Sequence, residues 1–318
     1  MSAEDSHSIP PPAAPDAAQS PPRADESPDA GTSAPINTPE DILRPALSQP
    51  LPPTPSREFD PSVPEDLRAP WGWLDLLVFL VVGFFSLIAV IACVAIVAVT
   101  AFHVPLDTLK AKSMTDALAT ISIVGQGIWS VGVLLFFYIM VRSRTSAPFW
   151  RTIGWRGLGN GGNTLGSALG LAGTGAILAV CVSLLGKLFG EKEGLPIEEM
   201  FRSRQTVILL MSFGILVAPL VEETIFRGFL YPLFARAFGV PAGVVVTGTL
   251  FGLMHAAQLW GGWGQIGLLI VVGIIFTYVR ARTGTVAASY CVHIGYNGLL
   301  FGFFFIATSG LKHLPVAH

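Results

Sequence analysis

Charge is scarce in this chain of 318 residues: Asp, Glu, Lys and Arg make up 13%, against about 25% in an ordinary soluble domain. That shortage excludes a soluble globular enzyme. A basic surface is lacking too, which excludes a nucleic-acid binder. Cysteine is almost absent. Cys93, Cys181 and Cys291 each stand alone in an apolar run, a spacing that indicates no metal knuckle and no redox pair. They read as small buried hydrophobes. Met1 to Pro15 has neither a basic start nor an apolar stretch, so no signal peptide is expected. The chain has no H-E-x-x-H zinc helix and no G-x-S-x-G elbow, the marks of two common hydrolase types.

What is abundant is apolar. The chain is 52% hydrophobic, with a mean hydropathy of +0.61. Its net charge of -2 hides a division: residues 1–70 carry 12 acids and 4 bases, and residues 71–318 carry 9 acids and 15 bases. Of the 24 prolines, 17 fall in residues 1–70. That Pro-, Ala-, Ser- and acid-rich segment cannot bury enough apolar surface to offset the entropy of ordering. It is expected to be a disordered tail, partly polyproline-like, ahead of a membrane domain over 71–318. Docking of partner domains is the functional alternative to a plain solvated tail.

Long apolar segments are candidate membrane spans, since about 20 residues cross the hydrocarbon. The pattern places them at 74–102, 117–141, 165–189, 206–221, 241–257, 266–280 and 285–307. Segment 222–238, interrupted by Pro232, either continues the fourth or forms a span of its own. The expectation is an all-α polytopic bundle of seven to eight helices. Trp71 and Trp73 read as interface anchors before the first span. Arg142, Arg144, Arg151 and Arg156, in a loop without acids, should be cytoplasmic by the positive-inside rule. Alternation puts Arg236, Arg280, Arg282 and the N-terminal tail on the same side, in a multi-pass cell-membrane protein. Of three G-x-x-x-G pairs, Gly248/Gly252 and Gly298/Gly302 are expected to pack closely, and Gly166/Gly170 less so. The aromatic, glycine-rich Trp260–Gly264 stretch reads as an interfacial turn rather than a gate.

Ionisable residues inside a membrane are costly and need a reason. Glu222, Glu223, Arg227, His255 and His293 stand in the last third of the chain, with Asn297 as a buried amide. Glu223 and Arg227 are i and i+4, acid first, and should form an internal ion pair. Glu222 is rotated by about 100° from Glu223 and lacks that partner. His293 and Asn297 are again i and i+4, so both face one way. One Glu, two His and one Asn can therefore converge on one cavity. A Glu and a His can hold a water and take its proton. A His and an Asn can donate to a carbonyl oxygen as it becomes an oxyanion. This suits hydrolysis of an amide by direct attack of water. A zinc site on Glu and two His and a proton-coupled transporter stay open on the residues alone, although no repeated halves are visible.

Three motifs in order carry a resemblance to a known family. Glu222-Glu223-Thr-Ile-Phe-Arg227 is similar to the E-E-x-x-x-R motif of the CPBP family, which groups CAAX prenyl endoproteases with bacteriocin-processing and abortive-infection membrane proteins. Phe251-Gly-Leu-Met-His255 resembles its F-x-x-x-H motif, and His293-Ile-Gly-Tyr-Asn297 its H-x-x-x-N motif. The resemblance covers about 206–300. It implies an intramembrane glutamic endopeptidase fold of about eight spans, with no cofactor and no metal. By position, Glu222 would be the general base, His255 would help it activate water, His293 and Asn297 would form the oxyanion hole, and Glu223 and Arg227 would support the site. The implied partners are the lipid bilayer and a peptide or membrane-protein substrate, with no nucleic acid. The site should open to the cytoplasm. A non-catalytic scaffold or immunity factor of the same family is the alternative.

Overall fold

A computed structural model of the chain describes residues 63–110, 115–158, 164–190, 195–201 and 203–314. The expected disordered tail lies outside these residues up to position 62. Seven main helices follow one another. They are α1 (Trp73–Thr100), α2 (Asp116–Arg142), α3 (Thr164–Gly186), α4 (Arg204–Phe238), α5 (Val240–Met254), α6 (Trp263–Thr283) and α7 (Val286–Ala307). Six of these, all but the shorter α5, are long and apolar enough to cross a membrane. The all-α membrane architecture is therefore as expected, and the span count of seven to eight is corrected to six among the described residues. The count differs because 206–238 stays one helix and 240–254 is too short.

α4 contains Pro219 and Pro232 yet does not break. A proline removes one backbone donor and its ring crowds the carbonyl four residues earlier. α4 accommodates this by widening into π turns at Phe213–Val217 and Thr224–Leu230. Each π segment ends two residues before a proline. A widened turn leaves carbonyls that other elements can satisfy. Asn297 Nδ2 of α7 donates to Gly214 O at 2.7 Å, and the Trp71 indole Nε1 donates to Phe229 O at 3.0 Å.

Close crossings hold the later helices together. At Gly248 and Gly252 of α5 an added Cβ would meet the Ile274 and Ile270 backbone of α6, so this pair packs as expected. Gly298 and Gly302 have nothing within 4 Å, which overturns the expectation for them. The close contact of α7 lies one turn earlier: a Cβ on Gly295 would overlap the Ala172 carbonyl of α3, and one on Gly175 the Val292 carbonyl of α7. Small residues thus let α3 and α7 touch backbone to backbone.

Three further expectations are corrected. Cys93 and Cys181 are exposed and Cys291 half-buried, because lipid-facing positions of a span can be as apolar as its core. Trp71 is 1% exposed, a core residue packed on Phe137 and Phe229; Trp73 is 51% exposed. Residues 63–70, grouped with the tail for their prolines, form an ordered segment with a short 3-10 turn at Glu65–Leu67 and buried Leu67 and Ala69. Arg144 pairs with Asp75 at 2.8 Å, Arg156 with Glu65 at 3.2 Å and Arg280 with Asp66 at 3.0 Å. These contacts collect the basic residues at one end of the bundle.

Candidate functional site

The wide turn of α4 begins just after Glu223, so the two glutamates sit at the junction of an α and a π segment. They face different surroundings. Glu223 is fully buried. Its Oε1 accepts from Arg227 Nη1 at 2.9 Å and from His293 Nδ1 at 2.9 Å. Arg227, also fully buried, is spent in three directions, donating through Nη2 to Gly273 O at 2.9 Å and through Nε to Thr277 Oγ1 at 3.2 Å. The Thr277 hydroxyl in turn donates to Gly273 O at 2.8 Å. The guanidinium carbon lies 4.5 Å from the Phe251 ring centroid and 5.4 Å from that of Phe276. This completes the cation's surroundings with aromatic faces. The expected i, i+4 ion pair is present within α4, and the other two bonds of Arg227 fasten α4 to α6.

Glu222 points elsewhere. Its side chain keeps 17% exposure and lies between two imidazoles, with Oε1 4.0 Å from His255 Nε2 and Oε2 3.6 Å from His293 Nε2. These separations exceed direct hydrogen bonds and match polar groups that a small molecule such as water can bridge. His255 terminates α5, and its Nδ1 faces the Phe251 carbonyl at 2.9 Å. A carbonyl only accepts, so Nδ1 carries the proton and Nε2 is turned to Glu222. By the same logic the bond to Glu223 puts a proton on His293 Nδ1 and turns its Nε2 to Glu222. Phe276 lies 4.6 Å from the His293 ring, and Phe251 lies 5.0 Å from the His255 ring. The two aromatics pin both imidazoles.

Glu222, His255 and His293 are thus brought together, with Glu223 and Arg227 behind them. Asn297 is placed differently. It lies one turn along α7 from His293, and one of its amide hydrogens is committed to Gly214 O. Among the described residues, no group of three or more His, Cys, Asp or Glu side chains is arranged to hold a metal ion. The sequence reading missed Gly273, Thr277 and Phe276, all on α6. A threonine inside an apolar span was their one visible signal.

The fold defines a multi-pass membrane protein of helices, with acid and imidazole groups gathered inside it. Residues 204–313 match the family described as Type II CAAX prenyl endopeptidase Rce1-like, a match that supports the resemblance of this segment to the CPBP, or CAAX protease, family. An Escherichia coli relative, an uncharacterized 24.3 kDa protein, is 30% identical over 138 residues, or 42% of this chain. The match spans 63% of that relative's length. No solved structure matches the chain.

Proposed function

We propose that the protein is an intramembrane endopeptidase that hydrolyses a peptide bond of a membrane-associated protein or peptide. The observation that carries this reading is the Glu222 carboxylate held 3.6 and 4.0 Å from two imidazole Nε2 atoms, beside an acid already neutralised by Arg227. The match of residues 204–313 to a family of CAAX prenyl endopeptidases supports it.

In this mechanism Glu222 and His255 hold a water. Glu222 takes its proton as oxygen attacks the substrate carbonyl carbon. The electron pair of the carbonyl moves to oxygen, and His293 stabilises the resulting oxyanion. Because His293 Nδ1 donates to Glu223, a donating Nε2 requires the doubly protonated ring, a charge that Glu222 and Glu223 flank. Asn297 has a second amide hydrogen for the same oxyanion, after the one given to Gly214 O. Collapse of the intermediate breaks the C–N bond, and the proton held by Glu222 passes to the leaving amine. Glu223 and Arg227 keep His293 in place. The end bearing Arg142, Arg144, Arg151 and Arg156 faces the cytoplasm, together with the chain ahead of α1.

The test compares the membrane and secreted peptidomes of wild type and Glu222→Gln. New C-termini present only in wild type identify the substrate. Identical peptidomes from equally folded proteins reject the reading.

A further inference from the structure

We infer that the segment Asp66–Trp71, ahead of the first span, is a strap that positions the site, with Asp66 and Trp71 as its positioning residues. The inference rests on the proposed reading of Glu222 as the base and His293 as the group that stabilises the oxyanion.

The strap starts within the short 3-10 turn Glu65–Leu67 and is tied down at both ends. At its start, the fully buried Arg280 of α6 donates through Nη1 to Asp66 Oδ2 and through Nη2 to the Asp66 carbonyl, both at 3.0 Å. Room for that guanidinium comes from Gly154, whose φ is +86° and whose added Cβ would lie 2.7 Å from Arg280 Nη2. The Tyr231 ring of α4 lies 5.6 Å from the guanidinium carbon. At its end, Arg236 of α4 donates to the carbonyls of Ala69 and Trp71, each at 2.8 Å. The Trp71 indole donates to Phe229 O, inside the π turn that starts after Glu223. Leu67, Ala69 and Trp71 are buried between these ties.

The strap therefore joins α4 to α6 at the basic end of the bundle. Arg227 joins the same two helices further in, through Gly273 O and Thr277 Oγ1. Thr277 and Arg280 are three residues apart on α6, so the two ties stand about one helical turn from each other. Arg227 is also the partner of Glu223, and Glu223 holds His293. A shift of α4 against α6 at the strap reaches His293 through that chain of bonds, and Phe276 of α6 touches the His293 ring directly. Trp71 acts on the π turn itself. Without its N–H the Phe229 carbonyl has no indole donor, and the turn that orients the two glutamates is free to relax.

The test uses the full chain with ring-15N histidine in nanodiscs of phosphatidylethanolamine and phosphatidylglycerol. His293 resonances are identified by their loss in His293→Gln. Trp71→Phe, which keeps a ring, and Asp66→Asn, which keeps the shape, should each shift the His293 ring resonances. Those of His103 and His313 should stay in place, and Asp66→Glu should restore the wild-type shift. Unchanged His293 resonances in both variants overturn the inference, even if the melting temperature falls. Should Trp71→Phe fail to fold, the Asp66 pair decides alone. No outcome depends on cleavage, so failure of the strap and failure of the hydrolytic reading are separate results.

Discussion

α1 turns Leu74, Leu77, Leu80, Phe84, Phe85, Ile88 and Ile91 outward, and only 6% of its most apolar stretch is buried inside the protein. In α6 the buried share is 33%, and Gly273, Thr277 and Arg280 lie inside. Both are spans, but they answer to different solvents. Lipid specifies α1, and almost any apolar residue satisfies it. Neighbouring helices specify α6 with backbone contacts, a hydroxyl and an arginine, none of which hydrophobicity selects. Where lipid decides, composition is enough; where protein decides, single residues carry the fold and the site.

That contrast breaks most sharply at Arg227. Arg227→Met leaves Glu223 buried with its charge uncompensated, and should cost about 3–5 kcal/mol, seen as a large fall in melting temperature in a fixed lipid. Adding Glu223→Gln should recover part of the loss. Gly295→Ala pushes a methyl into the Ala172 carbonyl and should cost up to about 3 kcal/mol. Gly298→Ala, three residues on with open space around it, should leave the melting temperature near wild type. Asn297→Leu takes the donor from Gly214 O and should cost about 1 kcal/mol, with weaker cleavage as a second readout. On α1, Ile91→Val should stay within about 0.5 kcal/mol of wild type. A comparable loss there would show that α1 is specified by protein contacts after all.

The sequence made one part of this legible and hid another, for a physical reason. Helical spacing alone paired Glu223 with Arg227 and turned Glu222 away, because both depend on neighbours within one helix. The G-x-x-x-G at Gly248/Gly252 was equally readable. Contacts between distant segments were not. Nothing local marks the bond from His293 to Glu223, the commitment of Asn297 to Gly214, or the burial of Trp71 under α4. The span count failed at Pro232, where proline suggests a break and the helix instead widens, and at 241–257, where the helix is too short to cross. Residues 63–70 look like the tail in composition, yet Asp66 and Leu67 find their partners at Arg280 and among α4 and α5 residues far along the chain.

The central claim is that two adjacent glutamates have separate jobs, one chemical and one architectural. Its most direct test is the rate of substrate cleavage per folded molecule, measured side by side in Glu222→Gln and Glu223→Gln in the same vesicles. Glu222→Gln should keep the wild-type melting temperature while cleavage falls by roughly 10²–10⁴-fold, and Glu223→Gln should lose stability first. Cleavage at the wild-type rate in folded Glu222→Gln would contradict the account.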